Sequence, residues 1–202
     1  SIQVNGTANV NASITAATGV GISRDANLSD SVTALSNGVT VGDTTRFLQS
    51  TSISATGSNA AIVLGDDEAS DRLLIAGGRT ATITASNGPI TITGDALGFV
   101  PAGGGTASGE TLTVNAGTGA VRFNGNIGIT QSPVLVLDAI ETATITGGSV
   151  TVTRNIGRAG VGGAGVNTLT INAADGFALN ETFAQNPDAI THVATVVANA
   201  NT

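Results

Sequence analysis

The sequence has no cysteine, methionine, tryptophan, tyrosine or lysine, and its only aromatic residues are five phenylalanines. The absence of cysteine excludes disulfides, thiolate metal sites and a cysteine nucleophile. With so few rings, wide pockets and aromatic binding platforms are hard to build. We therefore expect a narrow core filled by small aliphatic side chains.

Positive charge is also scarce, because seven Arg stand against 14 acidic residues and the net charge is −7. A nucleic-acid partner is disfavoured, since phosphate binding requires a basic face. No apolar run approaches the roughly 18 residues of a membrane helix, so we expect no membrane insertion. The chain starts at Ser1 without a leader segment, and we expect an extracellular or cell-surface protein from which a signal peptide has been removed.

What the sequence does contain is one recurring phrase, two short alternating apolar runs joined by a Gly-rich turn. The apolar pair after each turn recurs every 23 to 31 residues. The six pairs are Val39/Val41, Ile62/Leu64, Ile90/Ile92, Val121/Phe123, Val150/Val152 and Phe177/Leu179. In four of these blocks a Gly and an acidic or amide residue follow, at Gly42-Asp43, Gly65-Asp66, Gly94-Asp95 and Gly125-Asn126.

The alternation of Thr, Val and Ile with period two predicts an all-β fold with short strands. Helix is expected at most for a turn or two around residues 25–35, and that stretch could instead be a strand edge. Two architectures fit: a β-solenoid of about six repeats resembling a parallel β-helix, and a β-sandwich or jelly-roll resembling a pilin subunit with an N-terminal donor strand. The near-constant spacing favours the solenoid, because sandwich strands have unlike neighbours and no reason to share a phrase.

Two adjacent segments carry a family resemblance: "ETLTVNAGTGAVRFNGNIG" at 110–128 and "ETATITGGSVTVTRNIG" at 141–157. They resemble the degenerate repeats of filamentous-haemagglutinin-like adhesins and of autotransporter passenger regions. The resemblance implies a right-handed parallel β-helix on the cell surface that acts in adhesion or as a stalk.

The N-terminal segment 1–16 alternates without interruption and is expected to form one long strand ahead of a single repeat domain at 17–202. It resembles the donor strand of pilin-like fibre subunits, which completes the sheet of a neighbouring subunit. Alternatively it is a first strand of its own sheet, or two strands broken at Gly6. The apolar side of this segment, the predicted assembly interface, contains Ile2, Val4, Gly6, Ala8, Val10, Ala12 and Ile14.

Residues that could carry chemistry are few. The acidic run "GDDEASD" supplies Asp66, Asp67, Glu68 and Asp71, which could form a weak Ca²⁺ site because hard cations take carboxylate oxygens. A solvated acidic turn is the alternative. The single histidine, His192, has no second His or Cys for a metal. We therefore expect no enzyme and no cofactor other than calcium.

The expected function is that of a secreted structural protein whose partner is itself. It would form an extracellular filament, a pilus-like fibre or a surface layer by β-strand addition. The alternative is a monomeric surface adhesin that recognises a host or matrix glycan.

Overall fold

The computed structural model describes residues 1–66, 70–100, 109–128, 137–138, 140–154, 156–157, 166–179, 190–191 and 195–200. Within these ranges every regular element is a β-strand. Of the two alternatives for residues 25–35, the turn of helix is wrong and the strand is right, because that stretch forms β5 (Ala26–Leu28) and β6 (Val32–Ala34). The apolar residues of both strands point into the core, which a strand allows at every second position.

The strands lie on three faces of a β-solenoid. The first face contains β1 (Ile2–Val4), β4 (Gly19–Ile22), β7 (Gly38–Val41), β10 (Ile62–Leu64), β13 (Ile90–Ile92) and β16 (Val121–Phe123). The second face contains β2 (Ala8–Val10), β5, β8 (Thr45–Phe47), β11 (Arg72–Ala76), β14 (Asp95–Phe99) and β17 (Leu137–Asp138). The third face contains β3 (Ile14–Ala16), β6, β9 (Thr51–Ala55), β12 (Thr80–Ala85), β15 (Thr111–Asn115) and β22 (Thr195–Ala200).

Four further strands complete the description. β18 (Thr142–Val152) and β20 (Thr168–Leu179) each run from the third face around a corner onto the first. β19 (Ile156–Gly157) pairs with β21 (Ile190–Thr191). Each coil thus visits three faces before the chain rises to the next.

Among the described residues, nearly all strand pairs are parallel and join consecutive coils; in this part of the chain only β17 runs antiparallel to its neighbour, β14. This pairing confirms the solenoid and excludes the sandwich, whose hairpins would pair strands that are adjacent in sequence and antiparallel. The Gly-rich turn of the repeated phrase is therefore a corner. In "TLTVNAGTGAVRF" it connects the third-face strand β15 to the first-face strand β16.

The core is built from rows of equivalent residues stacked in register. The predicted equivalence of Ile92, Phe123 and Val152 is confirmed, since Phe123 is the strand partner of both others. The full row contains Val4, Ile22, Val41, Leu64, Ile92, Phe123, Val152 and Leu179. Its interior members are almost completely buried, whereas Val4 and Leu179 at the two ends are half-buried.

Segment 1–16 is not one long strand, and that prediction is wrong. It forms β1, β2 and β3, the three strands of the first coil. The coils here are short, because Ile2 pairs with Val20 and Val20 with Val39, offsets of 18 and 19 residues. Alternation continues through such tight corners, so sequence periodicity cannot detect them. Among the described residues, the first face consequently has eight stacked strands, whereas the sequence indicates six repeats.

Corners between the first and second faces explain the recurring Gly followed by Asp or Asn. A Cβ at Gly94 would overlap the carbonyl oxygen of Asp71 in the coil before, and one at Gly125 would overlap the backbone of Gly94. Only glycine allows such close stacking. The neighbouring carboxylate satisfies the next corner: Asp95 Oδ1 accepts hydrogen bonds from the N–H (2.7 Å) and the side-chain amide (2.8 Å) of Asn126.

We expect Val152→Asp to damage the solenoid locally. An unpaired carboxylate in this core should cost about 3 kcal/mol or more, because it is desolvated without a partner. Since coils contact mainly their nearest neighbours, amide protection should be lost around Phe123 and Val152 and kept around Ile22 and Val41. Hydrogen exchange measured residue by residue checks this. Thr151→Asp, on the outer side of the same strand, is the matched control. Equal loss across all coils would contradict nearest-neighbour stability.

Candidate functional site

The first coil has one edge that no described residue covers. Its strands β1, β2 and β3 pair only with β4, β5 and β6 of the second coil. Backbone groups of Val4, Ala8 and Ile14 bond toward that second coil. Successive residues of a strand direct their backbone groups to opposite sides, so Gln3, Asn9 and Thr15 direct theirs to the open edge.

The apolar residues at this edge are less buried than their equivalents one coil further on. Ile2, Val4 and Ile14 are half-buried, whereas their second-coil partners Val20, Ile22 and Val32 are 3%, 3% and 1% exposed. Ala8 and Val10 are buried under the second face. Of the predicted interface residues, Gly6 and Ala12 lie in corners. The remaining five border the open end of the core.

A polar ladder on the second face ties the first three coils together. The Asn27 side-chain amide donates to Asn9 Oδ1 at 2.9 Å. Arg46 in the third coil donates to Asn27 Oδ1 at 3.3 Å and pairs with Asp25 at 2.7 Å. This is the one ion pair found in the described part of the chain, and it is partly exposed. The ladder stabilises the coils that support the open edge.

The predicted calcium site is partly assembled by the corners. Asp66 and Asp71 lie in the corner after β10, and the structure adds Asp43 from the corner one coil earlier. The carboxylate oxygens of these three residues lie within 4.8 Å of one another. Asp67 and Glu68, also predicted as ligands, fall outside the described residues. Sequence reasoning missed Asp43, although the Gly-Asp pattern at Gly42-Asp43 and Gly65-Asp66 was the signal that could have found it.

Within this cluster Asp71 has a structural role. It is 5% exposed, and its Oδ2 accepts a hydrogen bond of 2.7 Å from the backbone N–H of Asp66. Asp43 is half-buried and Asp66 is exposed. Three converging carboxylates are the donor set that a hard cation prefers. The calcium site stays a prediction.

We expect calcium to stabilise the protein if this cluster holds the ion. Binding to the folded state alone adds about 2.7 kcal/mol when the calcium concentration is ~100 times the dissociation constant. Thermal unfolding with CaCl2 or a chelator measures the effect. Asp43→Asn should remove the calcium-dependent rise in Tm, whereas Asp30→Asn, outside the cluster, should keep it. An unchanged wild-type Tm would end the calcium prediction.

Comparison with known proteins returned no matching family model, no matching curated protein and no matching solved structure. Among the described residues, none lies in a helix of the length and apolarity needed to cross a membrane.

Proposed function

We propose that the protein is an extracellular structural subunit that assembles end to end by parallel strand addition. The observation that carries the proposal is the open edge of the first coil, where three strands present unpaired backbone groups around half-buried Ile2, Val4 and Ile14. The occupant of this edge is the last coil of a second copy. We propose this stacking of coils instead of the donation of segment 1–16 as one long strand, because that segment already forms a coil of its own solenoid.

Strand edges of this kind are templates for pairing. Natural proteins usually protect them with charge, proline, bulges or a covering element. Here the strands of the open edge contain no charged residue and no proline, as the sequences of β1 to β3 are IQV, ANV and ITA. The edge is therefore suited to accept another parallel coil.

The opposite end offers a complementary surface. β22 continues the parallel third face and, in the part of the chain that the structure describes, pairs only with β20. A contact between this end of one copy and the first coil of another joins two different surfaces. Because the two surfaces lie at opposite ends of the stack of coils, repetition of this contact extends the stack into a filament instead of closing a ring.

Composition supports a role outside the cell. Chains without Lys offer trypsin-like proteases only the seven Arg positions, and the absence of Cys, Met, Tyr and Trp removes the side chains that oxidise most readily. A durable, self-associating rod has use for both properties.

We expect the triple variant Gln3→Pro, Asn9→Pro and Thr15→Pro to abolish filaments. Proline removes the edge-facing N–H of each strand without breaking a bond to the second coil. The matched control replaces the same residues by Ala, which removes the side chains and keeps every N–H. Negative-stain electron microscopy and analytical ultracentrifugation give the readout.

Filaments in the alanine variant and dispersed, folded monomers in the proline variant support the proposal. Filaments of unchanged diameter in the proline variant, or a wild type that stays monomeric at every concentration, overturn it. A monomeric wild type would favour the adhesin alternative. Deleting residues 1–16 is not an equivalent test, because it would expose β4, β5 and β6 as a new edge of the same kind.

A further inference from the structure

The outward surface of the third face carries a regular array of threonines. Strands β12, β15, β18 and β20 each begin with the pattern Thr-x-Thr. We define the threonine face as the eight outward residues Thr80, Thr82, Thr111, Thr113, Thr142, Thr144, Thr168 and Thr170. They form two parallel columns across four coils.

Strand register aligns the columns without interruption. One column runs from Thr80 to Thr168 and the other from Thr82 to Thr170, each residue being the strand partner of the next. Adjacent strands place equivalent side chains about 4.8 Å apart, and alternate residues of one strand lie about 6.7 Å apart. The result is a regular lattice of methyl and hydroxyl groups with two repeat distances.

The packed core beneath the array holds its strands in place. The residues between the threonines, among them Ala81, Leu112, Ala143 and Leu169, are 0% exposed. Threonine has few side-chain rotamers on a strand, so little rotational freedom remains to be lost on binding. A surface ordered in advance binds without the entropy cost of ordering itself.

The exposed chemistry of the face is neutral. All eight threonines are partly exposed, and the outward residues of β3, β6, β9, β12 and β15 and of the third-face parts of β18 and β20 are uncharged. Among the described residues, no side-chain hydrogen bond occupies the hydroxyls of Thr82, Thr113, Thr144 or Thr170, so these hydroxyls are available to solvent or a ligand.

A third column beside the array is less regular. It contains Ser54, Thr84, Asn115, Thr146 and Asn172 in register. Part of it is bonded internally, since the Asn172 amide donates to Thr146 Oγ1 at 3.3 Å. The uniform two-column array therefore ends at this column.

We propose that the threonine face binds ice. The threonines of the array repeat at about 4.8 Å between strands and about 6.7 Å along a strand. The two repeat distances of the oxygen atoms on the prism plane of hexagonal ice each differ from these spacings by roughly a tenth or less. Hydroxyls in register can enter that lattice, and the methyl groups between them favour an ordered water layer over bulk water. Ice is uncharged and periodic, as is this face.

Other occupants fit the face less well. Hot spots for protein partners are enriched in Trp, Tyr and Arg, and the array offers none of these. Each hydroxyl contact is weak, but several made together by one rigid face produce strong adsorption. The proposal does not depend on end-to-end assembly, because the threonine face lies along the side of the solenoid.

The test compares wild type with the double variant Thr113→Lys and Thr144→Lys. These two side chains lie at the centre of the array, where a long hydrated cation holds the face away from a crystal. The matched control is Thr91→Lys and Thr151→Lys, two outward positions of the first face. Far-UV circular dichroism just above freezing establishes that each variant is folded. A dye that reacts with amines labels only the N-terminus of wild type, since the chain has no Lys.

Thermal hysteresis, ice-crystal shape and adsorption of the protein to a growing ice surface are the readouts. We expect wild type and control to shape crystals and enter the ice, and the array variant to lose most of both effects. A folded wild type that is excluded from ice overturns the proposal, as does an equal loss in the control. If lysine unfolds the array variant, Thr113→Tyr with Thr144→Tyr replaces it, against Tyr at the control positions. Full activity in a folded array variant would also overturn the proposal.

Discussion

Register between coils is the constraint on which the rest of this structure depends. Along the first face each coil places an apolar residue directly above its equivalent, as Phe123 stands between Ile92 and Val152. Parallel strands then form their ladders without antiparallel hairpins, and a narrow core suffices because each layer buries the one below. A narrow core has room mainly for small side chains, and the chain accordingly contains few aromatic residues.

The corners accommodate much of the difference in length between coils. The sequence separation between paired residues of neighbouring first-face strands grows from 18 positions at Ile2 and Val20 to 31 at Ile90 and Val121, yet the strands stay aligned. Some of the extra residues lengthen the strands, and the others enter the corners. There glycines such as Gly94 permit close stacking, and carboxylates such as Asp95 accept a hydrogen bond from a backbone N–H of the next corner. Corner stacking also brings Asp43 beside Asp66 and Asp71, which are distant in sequence.

Inside and outside are under different demands. Most inward positions are apolar because they form the core, so their identity carries little functional information. Outward positions are limited only by β-propensity and solubility. An outward Thr in every second position has a simple structural explanation in one strand. Repetition of the same two columns over four coils, however, places identical side chains on a lattice. That lattice is a property of the assembled face.

Periodicity alone determined that the chain is all-β and that its phrases are equivalent, because alternation and spacing are local and the core demands them at every coil. The row that contains Ile92, Phe123 and Val152 follows from this periodicity. Tertiary structure decided where the chain turns: the alternation of residues 1–16 is the same in one straight strand as in a coil with tight corners. It also decided which corner carboxylates meet and which threonines share a face. These depend on contacts between residues 18 to 31 positions apart, which no local pattern specifies.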